Sequence, residues 1–90
     1  MNIEDVLCSK TRLKILKALV DSELTPSAIA KAVGVNYVNA SQHLKVLEAE
    51  GIVKHITFGK RIRYYRFDGA SPKAKALQKL ISVFQARAKN

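Results

Sequence analysis

The stretch Thr25–Gly51, TPSAIAKAVGVNYVNASQHLKVLEAEG, constrains this chain more than any other. It spells a short helix, a tight turn and a longer helix. Thr25 suits an N-cap, and Pro26 suits the first helical position, where a missing N–H costs nothing. Ile29, Ala30 and Val33 then share one helical face. Gly34 can take the left-handed conformation that stops a helix, and Asn36 can cap the next one. In that second helix Ala40, Leu44 and Leu47 make the inward stripe, and Gly51 ends it. Ala30 is small where the two helices must cross closely. Two helices joined this way form a helix-turn-helix, whose second helix is presented outward to a groove of DNA.

At about 100° per residue, the positions opposite Ala40, Leu44 and Leu47 can be assigned. Val38, Gln42, Lys45 and Ala49 point away from the core, with Asn39 and Ser41 on the flanks and Tyr37 near the boundary. Asn39 and Gln42 can bond adenine in a bidentate way, Lys45 can reach guanine or phosphate, and Val38 can touch a thymine methyl. These four are the expected base-reading residues. Ser41 and Tyr37 are expected on the backbone. The plainer account is that any exposed helix carries polar side chains; what favours DNA is the frame and the charge.

That charge is large. The 90 residues include 16 Lys and Arg against 7 Asp and Glu, a formal net charge of +9. On so short a chain this points to a polyanion, most commonly nucleic acid. No apolar run approaches the ~18 residues of a membrane span, and no signal peptide opens the sequence, so no membrane partner is expected. The length suits one domain over 1–90 with one modest core. Cys8 is the sole cysteine, which excludes an internal disulfide and fits a reducing, cytoplasmic, nucleoid-associated setting. It reads as a buried thiol, with a disulfide between two copies as the other use open to it.

Before the central pair, residues 3–8 read as a short helix with Ile3, Val6 and Leu7 on its apolar side. Ser9 can cap a helix over 10–21, with Leu13, Leu16, Ala18, Leu19 and Val20 apolar and Lys10, Arg12, Lys14 and Lys17 solvated. After the pair, IVKHITF (52–58) and IRYYRF (62–67) are rich in β-branched and aromatic residues and flank the turn Gly59-Lys60-Arg61. They predict a β-hairpin. From Gly51 to Phe67 there are five basic residues and no acidic one. A basic hairpin after a helix-turn-helix is a wing, and Lys60, Arg61 and Arg63 are expected on phosphates or in the minor groove. Lys and Arg on an edge hairpin also discourage sheet-to-sheet aggregation, and both uses can hold together.

The last segment, 71–89, starts with a Ser71 cap and Pro72 at the first helical position. Ala70, Ala74, Leu77, Ile81, Phe84 and Ala88 are spaced close to a heptad seam, widened by Leu80 and Val83. The simple account is packing on its own domain. The preferred one adds pairing with a second copy, with Ala74, Leu77, Ile81, Phe84 and Ala88 as the interface, because a dimer lets two recognition helices address half-sites one turn apart. The expected fold is therefore mainly α with one β-hairpin (α+β): a winged helix-turn-helix over 25–51 and 52–68, closed by a terminal dimerisation helix.

The runs SQHLKVLEAEGIV (41–53) and GKRIRYYRF (59–67), with ELTPSAIAKAVGVN (23–36) before them, resemble the ArsR-like winged-helix repressors. MarR-like regulators share the frame. The resemblance implies a homodimeric transcriptional regulator that binds operator DNA through recognition helix and wing, with terminal helices building the dimer. Metal-sensing members of that family carry a Cys-x-Cys-type motif in the helix before the turn, where this chain has Leu24-Thr25-Pro26-Ser27-Ala28. They also use Asp and His on the terminal helix, and Ser71–Asn90 contains neither, nor Glu. Cys8, His43 and His55 are scattered over different elements, so no metal and no cofactor are expected.

The leading expectation is a sequence-specific regulator of double-stranded DNA, acting as a homodimeric repressor. An architectural DNA-coating protein and a winged-helix protein-interaction module stay open as alternatives. An enzyme is not expected: no paired carboxylates, nucleophile–base motif or phosphate-cradling Gly loop occurs, and Glu48 and Glu50 read as solvated helix charges.

Overall fold

In the computed structural model, which describes residues 2–59 and 61–88, the chain order is α1 (Ile3–Leu7), α2 (Lys10–Leu19), α3 (Pro26–Val33), α4 (Tyr37–Ala49), β1 (Val53–Phe58), β2 (Ile62–Phe67) and α5 (Pro72–Ala88). Local capping sets most of these boundaries. Asn2 and Asp5 form a reciprocal capping box at α1, with both bonds at 3.1 Å. The backbone N–H of Arg12 donates to Ser9 Oγ at α2, and that of Ala28 to Thr25 Oγ1 at α3. Asn39 N–H donates to Asn36 Oδ1 at 2.7 Å, and Ala74 N–H to Ser71 Oγ at 3.3 Å. Each bond satisfies a donor that a helix start would otherwise leave without a partner.

Between α3 and α4, Gly34 takes φ 84°, and the N–H groups of Gly34 and Val35 both return to the carbonyl of Ala30. The helix thus ends where only glycine is unstrained, and the chain turns directly into the Asn36 cap. Gly51, at φ 73°, reverses the chain after α4 in the same way, with Ile52 N–H donating to Leu47 O.

The hairpin is antiparallel, with Val53 opposite Phe67, His55 opposite Tyr65 and Phe58 opposite Ile62. Alternation along the strands sends Val53, Tyr65 and Phe67 into the core. Leu24 adds a third, one-residue strand: its N–H donates to Tyr65 O at 3.1 Å, and Tyr65 N–H returns to Leu24 O at 2.8 Å. This pins the segment before α3 to the free edge of β2.

The core joins Val6 of α1, Ile15, Leu16 and Leu19 of α2, Ile29 and Val33 of α3, Leu44 and Leu47 of α4, the hairpin's inner residues, and Ala74, Leu77 and Ile81 of α5. Gln78 Nε2 donates to Val20 O at 2.9 Å, fastening α5 to the end of α2. Several expectations need correction. Helix α2 stops at Leu19, two residues early, and Ile15 is one of its fully buried residues whereas Leu13 and Ala18 are only half-buried. Arg12 is half-buried rather than solvated, and its Nη1 donates to Asp5 O at 2.9 Å. Cys8 is exposed, because it lies at the C-cap of α1 rather than on that helix's inner side. No helix among the described residues is long and apolar enough to cross a membrane.

Candidate nucleic-acid interface

Helix α4 is seated by Ala40, Leu44 and Leu47, all fully buried. That stripe decides which side chains remain outside. Val38 is 62% exposed, and Asn39, Gln42 and Lys45 are exposed beside it. A valine so open on a helix anchored by three buried neighbours is not there for the domain's own packing. Tyr37 is exposed at the first turn, and Ser41 is half-buried at the flank. The four expected base readers thus lie on one solvent-facing surface, together with their flanking pair.

The wing meets this surface at its N-terminal end. Thr25, Pro26 and Ser27 of the α3 start, Tyr37 of α4, and Arg61, Ile62 and Arg63 of the wing line one open cleft. The fold therefore brings Tyr37, Arg61 and Arg63 together, although Tyr37 and Arg61 are far apart in sequence. Lys60 lies outside the described residues. Thr25 and Ser27 were not assigned to a site from sequence. The signal was available, since a Thr-Pro-Ser helix start places hydroxyls and helix-end N–H groups where an anion is favoured.

Three acidic side chains near α4 and the wing are engaged by basic partners. Glu48 Oε2 lies 2.5 Å from His55 Nδ1, tying the last turns of α4 to β1, and the His55 ring packs at a tilt on Tyr65, 5.6 Å away. Glu23 accepts from Arg66 Nη1 at 3.1 Å, and Glu50 lies 3.6 Å from Lys73 Nζ. Glu48 and Glu50 are therefore paired, where sequence suggested merely solvated charges. These pairs are partly exposed and contribute little to stability; they brace α4 and the wing. His43, half-buried on α4, has its pKa held below the usual imidazole value by partial burial and then by the Arg12 charge.

Among the described residues, no group of three or more His, Cys, Asp or Glu side chains converges as a metal would require. Cys8, His43 and His55 stand on α1's end, α4 and β1 respectively.

The face expected for pairing divides. Ala74, Leu77 and Ile81 are buried in their own subunit's core, while Phe84 is 66% exposed; Ala88 closes α5, and its side chain is outside the described set. Among the described residues, the large apolar side chains that α5 leaves open are Leu80, Val83 and Phe84.

A family model for the bacterial regulatory proteins of the arsR family matches residues 9–55, which is more than half of the chain. The chain belongs to the ArsR family. Its similarity to the HTH-type transcriptional regulator CmtR of Mycobacterium bovis is 36% identity over 80 residues, covering 89% of this chain and 66% of that relative. This chain accordingly spans just under two thirds of the length of CmtR. The homodimeric winged helix-turn-helix DNA-binding domain (fragment 1–100) of a possible ArsR-family transcriptional regulator from M. bovis superposes with a TM-score of 0.73 at 32% identity, over 94% of this chain and 73% of that one. The transcriptional repressor BigR from Xylella fastidiosa gives 0.78 at 26% identity, over 96% and 83%. The fold is a winged helix-turn-helix, and the family is regulatory rather than enzymatic.

Proposed function

We propose that this chain is a transcriptional regulator that binds double-stranded DNA sequence-specifically as a homodimer and represses by occupying promoter DNA. The observation that carries the reading is the surface of α4: Val38, Asn39, Gln42 and Lys45 stand exposed together on a helix whose opposite side is fully buried. In this reading α4 enters the major groove, where those four side chains meet base edges. Ser41, Tyr37, Lys60, Arg61 and Arg63 hold phosphates or the adjacent minor groove, with Thr25 and Ser27 completing the cleft. The net charge of +9 supplies the non-specific attraction on which such readout is built.

The homodimer is supported by the assembly of the M. bovis relative and by Leu80, Val83 and Phe84, which α5 leaves open to solvent. Pairing through this face covers apolar surface and sets two α4 helices to address half-sites roughly one helical turn apart. Repression draws support from BigR. The reading requires no metal or cofactor, and it places the protein with the DNA, in the cytoplasm.

Selection of bound sequences from a random DNA pool near physiological salt tests it. An inverted repeat with half-sites about 34–36 Å apart is the expected product. A pool that stays random despite tight retention overturns sequence-specific regulation in favour of DNA coating, and no retention points to a protein-interaction module.

A further inference from the structure

The hairpin has two faces, and only one is used by the core. Val53, Tyr65 and Phe67 turn inward. By strand alternation Ile56, Phe58, Ile62 and Tyr64 share the opposite face. None of these four belongs to the core cluster; Phe58 is 55% and Ile62 50% exposed, and they face each other at the last registered pair before the tip. The Phe58 ring is also held edge-on to Tyr64, with centroids 5.3 Å apart. A fixed apolar ridge on the outside of a strand pair is an aggregation hazard unless something covers it.

We propose that the Phe58–Ile62 ridge is a further DNA-contacting element, resting against the deoxyriboses that line the minor groove beside each half-site. The proposal rests on the DNA-binding reading above and adds residues of a different chemistry. Ile62 lines the same cleft as Tyr37, Arg61 and Arg63, so the ridge continues the surface assigned to the backbone. The segment Gly51–Phe67 carries five basic residues and no acidic one. Glu23 also lines the cleft of Phe58, Ile62 and Tyr64, but its carboxylate is paired with Arg66. An apolar strip with Arg61 and Arg63 beside it, and its acidic neighbour matched by a cation, complements the minor groove, where sugar C–H groups run between two rows of phosphates. Pairing of the ridge with the same ridge of a second copy would instead bring two basic hairpins together, which their charge opposes.

The test uses the full chain on its selected operator, with hydroxyl-radical footprinting, which reads deoxyribose accessibility, and methylation protection of guanine N7, which reads the major groove. The wild type is expected to protect sugars flanking each half-site. In the Phe58→Ser/Ile62→Thr double variant those flanking protections disappear while the major-groove protections remain. Affinity falls roughly tenfold with an unchanged salt slope, because apolar contacts release no counterions. The Phe58→Leu/Ile62→Val variant retains the flanking protection, which separates loss of contact from loss of fold. Flanking sugars open in the wild type, or still protected in the Ser/Thr variant, refute the ridge while leaving the regulator reading intact. A shallower salt slope in that variant also refutes it, since the effect would then come from displaced cations. Absence of any wild-type footprint overturns both.

Discussion

Gln42 and Leu44 are two residues apart on α4, yet the structure gives them opposite expected behaviour. Leu44 is 0% exposed and lies within the core cluster. Truncation to Ala removes buried methyl groups and leaves a cavity, which costs about 2–5 kcal/mol. At about 4–8 °C per kcal/mol for a domain of this size, Leu44→Ala lowers Tm by at least ~8 °C. Gln42 is exposed, so Gln42→Ala changes stability by no more than about 0.5 kcal/mol. Its loss falls on recognition: a bidentate contact to adenine discriminates by about 1–3 kcal/mol, or about 5- to 150-fold per half-site. Thermal melts at fixed protein concentration measure the first effect. Fluorescence anisotropy on the selected operator and on scrambled DNA measures the second. Gln42→Ala should bring the two DNA affinities together while keeping wild-type Tm. If it lowers both affinities equally, or melts as early as Leu44→Ala, then α4 does not present Gln42 to bases and the assignment of its outer face is wrong.

Other consequences can be checked alongside. Arg61→Ala should weaken specific and random DNA alike and reduce the salt slope by about one, read from binding isotherms across a salt series; an unchanged slope would place Arg61 off the phosphates. Leu80→Asp/Phe84→Asp should shift the chain towards monomer, raising the dimer dissociation constant on the order of a hundredfold by sedimentation equilibrium, with little change in helicity because both side chains are exposed. If the double variant self-associates like the wild type, α5 does not pair through this face. For His43 the folded pKa lies below 6.5, so the unfolded chain takes up the proton first as pH falls. Stability is then fully present above about pH 6.5 and declines as pH drops below it, and His43→Gln should flatten that part of a denaturation series. A wild-type profile that rises on acidification would contradict the burial and the Arg12 charge as causes.

Much of this fold is local chemistry, and local chemistry is written in sequence. Ser9, Thr25, Asn36 and Ser71 cap four helices because their side chains reach N–H groups three residues on. Gly34 and Gly51 stop two helices because they alone tolerate the positive φ required there. The stripe Ala40, Leu44 and Leu47 identifies the buried side of α4, and by subtraction the outer face with Val38, Asn39, Gln42 and Lys45. What tertiary structure decided was set by partners distant in the chain. The heptad-like spacing of α5 marked an apolar side but could not say whether it met its own core; packing against α2 and β2 took Ala74, Leu77 and Ile81, and left Leu80, Val83 and Phe84 outside. The bridge from Leu24 to Tyr65, the cleft gathering Thr25 and Ser27 with Tyr37, Arg61 and Arg63, and the Glu48–His55 pair all join different elements. The hairpin itself was legible from its β-branched and aromatic runs on either side of a Gly-containing turn. Which face would be buried was not, because that depends on the side of the hairpin the helices occupy, and this is why the exposed Phe58 and Ile62 emerge only from the folded chain.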